Sequence, residues 1–97
     1  MDQARVLATL RGARAELEGL GLKRLWIVGS VAWDTAGPRS DVDLVAEFME
    51  PGKEGVTFLR VVSYLEELLG APVELMRTPI ASPALRRVIE ARSVEVF

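Results

Sequence analysis

Cysteine and histidine are both absent from this chain of 97 residues. Disulfides, thiolate nucleophiles, imidazole bases and the usual zinc sites are therefore excluded, and any chemistry must come from carboxylates, hydroxyls, amines, backbone amides or a hard metal ion. Asparagine is missing too, glutamine occurs once, and arginine outnumbers lysine ten to two; this bias is given no functional weight. There is no surplus of positive charge. Twelve Lys and Arg stand against 14 Asp and Glu, a formal net charge of −2, so direct binding along a nucleic-acid backbone is disfavoured. Charges interrupt every apolar stretch, and Met1-Asp2-Gln3-Ala4-Arg5 does not lead a basic segment into an apolar one. The expectation is a cytoplasmic protein with no membrane attachment.

What is present fits a single domain over residues 1–97, long enough to bury about two-thirds of its unfolded surface around one core. At 49% hydrophobic residues the chain is rich in apolar surface for its size, as expected if a partner covers some of it. Val6, Leu10, Ala13, Leu17 and Leu20 recur at helical intervals, with Gly19 and Gly21 as stops. Leu22 to Val28 reads as a strand ended by Gly29-Ser30, and Asp41 to Phe48 as a second strand after a turn-rich loop, Thr35 to Ser40. Pro51-Gly52-Lys53-Glu54-Gly55 reads as a mobile connection. Val56 to Leu69 has a broad apolar helical face closed by Gly70-Ala71-Pro72, and Val73 to Arg77 reads as a third strand. Ser82-Pro83 opens a helix through about Ala91, and Val94 to Phe97 can add a short edge strand. The order predicts a small α/β (α+β) domain with a mixed sheet packed by helices.

The chemistry centres on Asp41 and Asp43. Two of the chain's four aspartates stand inside an otherwise apolar β run, although Asp is disfavoured in strands. Residues i and i+2 project from one face about 6–7 Å apart, so both carboxylates can converge on a cation. A D-x-D pair taken alone reads more readily as a solvated sheet edge. Gly29-Ser30 ends the preceding strand, where glycine permits close approach of a ligand, a Ser hydroxyl can cap a short helix, and exposed amides can meet phosphate. Together the two motifs amount to a triphosphate cradle facing a carboxylate pair, the minimum for nucleotidyl transfer. Glu74, between Val73 and Leu75, reads either as a third carboxylate acting on metal and as a base, or as a surface residue on an edge strand. Oxygen ligands without His or Cys point to Mg²⁺, with Mn²⁺ as a substitute.

Gly29-Ser30, ten intervening residues and Asp41-Val42-Asp43-Leu44 resemble the G-S-x10-D-x-D signature of the DNA polymerase β-like nucleotidyltransferases, in particular the minimal nucleotidyltransferases. The likeness extends over nearly the whole chain, through Glu47-Phe48, Pro51-Gly52, Leu65 to Gly70 and Val73-Glu74-Leu75. It implies a polymerase β palm-like fold and Mg²⁺-dependent transfer of a nucleoside monophosphate, usually from ATP or else from another nucleoside triphosphate. It also implies Gly29 and Ser30 at the triphosphate, Asp41, Asp43 and Glu74 as catalytic metal ligands, and a small helical HEPN-type protein as partner, adenylylated by its antitoxin.

The chain departs from that pattern after Gly-Ser, where Val31, Ala32, Trp33 and Asp34 replace a basic, small, basic, glycine sequence, and at Glu74, where the family usually has Asp. The field around a triphosphate is weakened accordingly. Arg39, Arg77, Arg86 and Arg87 are candidate replacement cations, though each also reads as solvated surface. Packing is the favoured reading of Trp26 and Trp33, with base stacking open to Trp33. The segment from Met49 to Gly55 reads as a loop closing over substrate or as plain surface. Three functions follow: AMP transfer to a hydroxyl, expected to be a tyrosine of the partner; a catalytically weakened protein that neutralises its partner by binding alone; and a transferase acting on a small aminoglycoside-like hydroxyl compound.

Overall fold

In the computed structural model, which describes residues 2–33 and 41–97, the elements follow the order α1 (Gln3–Gly12), α2 (Arg14–Gly19), β1 (Leu22–Val28), α3 (Gly29–Ala32), β2 (Val42–Phe48), α4 (Gly55–Leu69), β3 (Val73–Arg77), α5 (Pro83–Arg92) and β4 (Val94–Glu95). The first amphipathic stretch is two helices, divided at Ala13, whose φ of −99° and ψ of 11° leave the helical region. Gly12 precedes the break, and its lack of a Cβ makes this the weakest point of the helix. Both pieces keep their apolar faces inward: Val6, Leu10 and Leu17 are buried. Asp2 caps α1 by accepting from the Arg5 N–H at 2.8 Å, and Ser82 caps α5 by accepting from the Leu85 N–H at 3.3 Å, as N-cap residues do. Gly70 closes α4 in the left-handed conformation, φ 65°, the stop predicted from Gly70-Ala71-Pro72.

The four strands form one mixed sheet in the order β3-β2-β1-β4. β1 pairs antiparallel with β2 and β4, and β2 pairs parallel with β3. Alternation assigns the faces. Leu25, Ile27, Val42, Leu44, Ala46 and Phe48 point into a core shared with Val6, Leu10 and Leu17 from α1 and α2 and with Val61 and Leu65 from α4. On the opposite face lie Trp26, Val28, Asp43, Val45, Glu74 and Met76, crossed by α5. β2 is one of the two inner strands, and Val45 is buried on this second face, so the run Leu44-Val45-Ala46 loses the clean alternation expected of a half-exposed strand. The two faces are closed unequally, because α5 has no buried residue.

Long-range hydrogen bonds fasten the edges. Arg11 donates from Nε to the Val96 carbonyl at 3.0 Å and from Nη2 to the Glu95 carbonyl at 3.3 Å, holding the short edge strand β4. Glu66 at the end of α4 accepts the Val73 N–H at 3.1 Å and sets the start of β3. In the 49–55 connection Glu54 is buried, and its carboxyl is held below the usual range by the backbone N–H groups of Glu54 and Gly52, with Arg77 contributing. Residues 34–40, which include Asp34, Arg39 and the predicted turn, lie outside the described residues. Among the described residues no helix is long and apolar enough to cross a membrane.

The unequal faces predict unequal mutational sensitivity. Leu65→Ala, which opens a cavity in the core face, is expected to cost about 2–5 kcal/mol, whereas Val88→Ala on α5, 49% exposed, should stay within about 0.5 kcal/mol. Thermal melts of the two variants check this.

Candidate functional site

The site forms where β1 ends and β2 and β3 begin. Parallel pairing sets Asp43 opposite Glu74, while antiparallel pairing on the other side sets Val28, the residue before Gly29, opposite Asp43. Asp43 is half-buried; Asp41 and Glu74 are exposed. The Asp43 carboxyl is pushed above the ordinary range by desolvation first, then by the Glu74 carboxylate beside it, and last by the Asp41 charge. Of the three predicted carboxylates, the register brings Asp43 and Glu74 side by side, while Asp41 reaches Asp43 only through its charge. Among the described residues no three acidic side chains are gathered as a preformed metal cage.

Gly29 is required here for two separate reasons. Its φ of +69° is one that L side chains rarely adopt, and a Cβ at this position would crowd the Asp43 carboxyl, coming within 3.2 Å of its Cγ. Any side chain would thus displace the carboxylate that the site is built around. Ser30 lies within the first turn of α3, whose N-cap is Val28, so its hydroxyl occupies a position inside the helix and not the cap expected from the sequence. Gln3, the only glutamine, donates to the Ala32 carbonyl at 2.7 Å and ties α3 to α1. Val31 is buried in the core.

A cavity of about 310 Å³ opens at this point, bounded by Gly29, Trp33, Asp43, Glu74 and Arg92. Val28, Met76 and Val88 give it an apolar wall, the mixture of apolar surface and a few polar groups typical of small-molecule sites. Trp33 is 43% exposed and belongs to this cavity, not to the core; Trp26 lines a separate groove against α5 with Val45 and Ile89. The Arg92 guanidinium lies over the Trp33 ring, 5.2 Å from its centroid. Arg92 was not among the cations singled out from the sequence, although Leu85, Val88, Ile89 and Arg92 share one helical face by their spacing. Of those singled out, Arg77 lies over the Phe58 ring at 5.5 Å beside the far end of β2, and Arg86 donates to the Ile80 carbonyl at 3.0 Å. Neither lines this cavity. The Met49–Gly55 segment is also remote: it adjoins Phe48 and Gly21, five residues or about 17 Å along β2 from Asp43, so closure over this site is not its role.

The raised Asp43 pKa has a consequence for stability. A group whose folded-state pKa is raised contributes full stability below its unfolded value and loses it as pH rises through the folded one. At pH 7 the ionised Asp43 therefore opposes folding of the metal-free chain. Asp43→Asn, melted with a chelator present, is expected to raise Tm modestly at pH 7 and to leave it unchanged below about pH 4.

Comparison with known proteins gives the family and the fold. The family model for the nucleotidyltransferase domain matches residues 7–95. A relative from Methanocaldococcus jannaschii, named as a candidate protein adenylyltransferase, is 36% identical over 77 residues, which cover 79% of this chain and 82% of the relative. A solved structure of a candidate minimal nucleotidyltransferase superposes with a TM-score of 0.78 at 32% identity, covering 97% of this chain and 95% of that one. The fold also recurs in a solved complex of a tri-AMPylated HEPN toxin with an MNT antitoxin from Shewanella oneidensis, with a TM-score of 0.59 at 15% identity and coverage of 86% and 67%. With the family model spanning most of its length and the Methanocaldococcus jannaschii relative more than a third identical, the chain belongs to the nucleotidyltransferase domain family.

Proposed function

We propose that residues 1–97 act as one minimal domain that transfers AMP from ATP to a hydroxyl group, that of a tyrosine on a small helical HEPN-type partner, and so serve as a cytoplasmic antitoxin. The carrying observation is the strand register that sets Asp43 opposite Glu74 and against Gly29, in a chain of this family. A strained carboxylate pair calls for a counterion. Mg²⁺ suits it, since that ion is commonly held by one or two carboxylates with substrate phosphates completing the shell, and Mn²⁺ can substitute. Asp43 and Glu74 would hold the ion with Asp41 beside them; when bound it would neutralise charge on the triphosphate. Gly29 and Ser30 would receive the phosphates. Glu74 takes the proton from the acceptor hydroxyl, the acceptor oxygen bonds to the α-phosphorus, and the bond from that phosphorus to the β-phosphate bridge breaks, releasing pyrophosphate.

The adenylyl group and the protein acceptor are carried over from the relative named as an adenylyltransferase and from the AMPylated complex that shares the fold. A second reading, neutralisation by binding alone, is favoured by the burial of Val31 and the uncharged Trp33, which leave the α3 turn without a cation. Intact-mass measurement of proteins copurified with the chain, before and after incubation with ATP and Mg²⁺, separates the two. Wild type is expected to add one or more AMP units to a partner, and Asp43→Asn to lower that transfer about 100-fold or more while retaining the complex. A stable complex with no AMP gain selects binding alone, and label on a small metabolite selects the small-molecule transferase.

A further inference from the structure

We propose that Arg92 is the residue that meets the phosphate chain of the nucleotide, and that Trp33 is the platform that keeps its guanidinium in place. This rests on the nucleotide reading of the site and names a binding residue within it. The cavity bounded by Asp43 and Glu74 has Arg92 as the only cationic side chain among its described lining residues. A triphosphate brought beside two carboxylates needs positive charge from the protein as well as from a metal ion, and a guanidinium supplies it with a planar fork that fits phosphate oxygens.

How Arg92 is held matters as much as where it stands. Elsewhere on this chain Arg14, Lys23 and Arg24 are paired with Glu18, Glu47 and Glu95. Among the described residues Arg92 has no such ion pair or hydrogen bond, although Asp43 and Glu74 line the same cavity. Its partner is the Trp33 ring, 5.2 Å below the guanidinium carbon. Stacking on an indole orients the guanidinium while leaving its edge N–H donors available to an anion, which a carboxylate partner would occupy. The backbone under Trp33 is fixed in turn, because its amide N–H donates to the Gly29 carbonyl at 3.1 Å and Gln3 holds the adjacent Ala32 carbonyl. Gly29, Trp33 and Arg92 are thereby linked within the lining of the cavity that Asp43 and Glu74 also bound.

Calorimetric titration of the full chain with ATP, ADP and AMP in Mg²⁺ tests the assignment. Arg92→Ala is expected to weaken ATP binding by about 10- to 100-fold while changing AMP binding far less, flattening the preference for the longer phosphate chain. Arg92→Lys should recover part of that preference, Trp33→Ala should lose part of it, and Arg87→Ala, on α5 but outside the cavity lining, should match wild type. Equal weakening of ATP and AMP in Arg92→Ala would assign Arg92 to packing and overturn the proposal, as would unchanged ATP binding. Failure of the wild-type chain to bind ATP would overturn the nucleotide reading itself and this assignment with it.

Discussion

Parallel pairing between β2 and β3 sets Asp43 against Glu74, and the same strand, on its other edge, carries Asp43 past the end of β1 and under Gly29. Two carboxylates forced together repel, so the arrangement persists only because something stronger fixes the register. That stronger term is on the other face of the same strand. Val42, Leu44 and Ala46 are fully buried, and a slip of one residue would turn them outward and drive Asp43 into the core. Burial of one large aliphatic side chain stabilises by about 1.5–3 kcal/mol, and several such side chains act together. The apolar face thus sustains an electrostatic strain that a cation could relieve, which links the packing of this domain directly to its chemistry.

The two faces of the sheet divide the work. α1, α2 and α4 close one face with a continuous apolar cluster, whereas α5 lies across the other with none of its residues buried and with Leu85 and Val88 largely exposed. A well-packed layer holds the strand ends in register, and a thinly packed one leaves them accessible to ligand. Regions with few buried apolar contacts open at low free energy. The Arg92–Trp33 contact joins this lighter layer to the turn after β1, so the same stack that aims a cation also connects α5 to the site.

Much of this was legible in the sequence, for physical reasons that can be named. Asp41 and Asp43 stood out because acidic residues are rare inside an apolar β run, and Gly29-Ser30 because it interrupts one. Glu74 was legible as an anomaly, but its contact with Asp43 depends on inter-strand register, which no local pattern carries. The division of the first helix at Ala13 was hidden because the apolar spacing runs through it, and the burial of Glu54 because it depends on its carboxyl meeting the backbone of Glu54 and Gly52. Arg92 was legible in principle. Helical spacing from Leu85 through Val88 and Ile89 places it on the sheet-facing side of α5, whereas attention to the adjacent Arg86 and Arg87 pointed to positions outside the cavity. The exposure of Trp33 could not be read, because an aromatic residue after a strand serves equally to cover a sheet end or to line a site.

The central claim is that the Asp43–Glu74 pair beside Gly29 is a cation site for a bound nucleotide. NMR of the isotope-labelled chain with a non-hydrolysable ATP analogue, adding Mn²⁺ in place of Mg²⁺, tests it most directly, since the paramagnetic ion broadens the amide signals around it. Broadening centred on Gly29, Asp43 and Glu74 and fading toward Phe48 and Lys53 is the predicted result. Broadening absent from these residues, or centred on acidic residues elsewhere such as Glu66 and Glu67, would contradict the account.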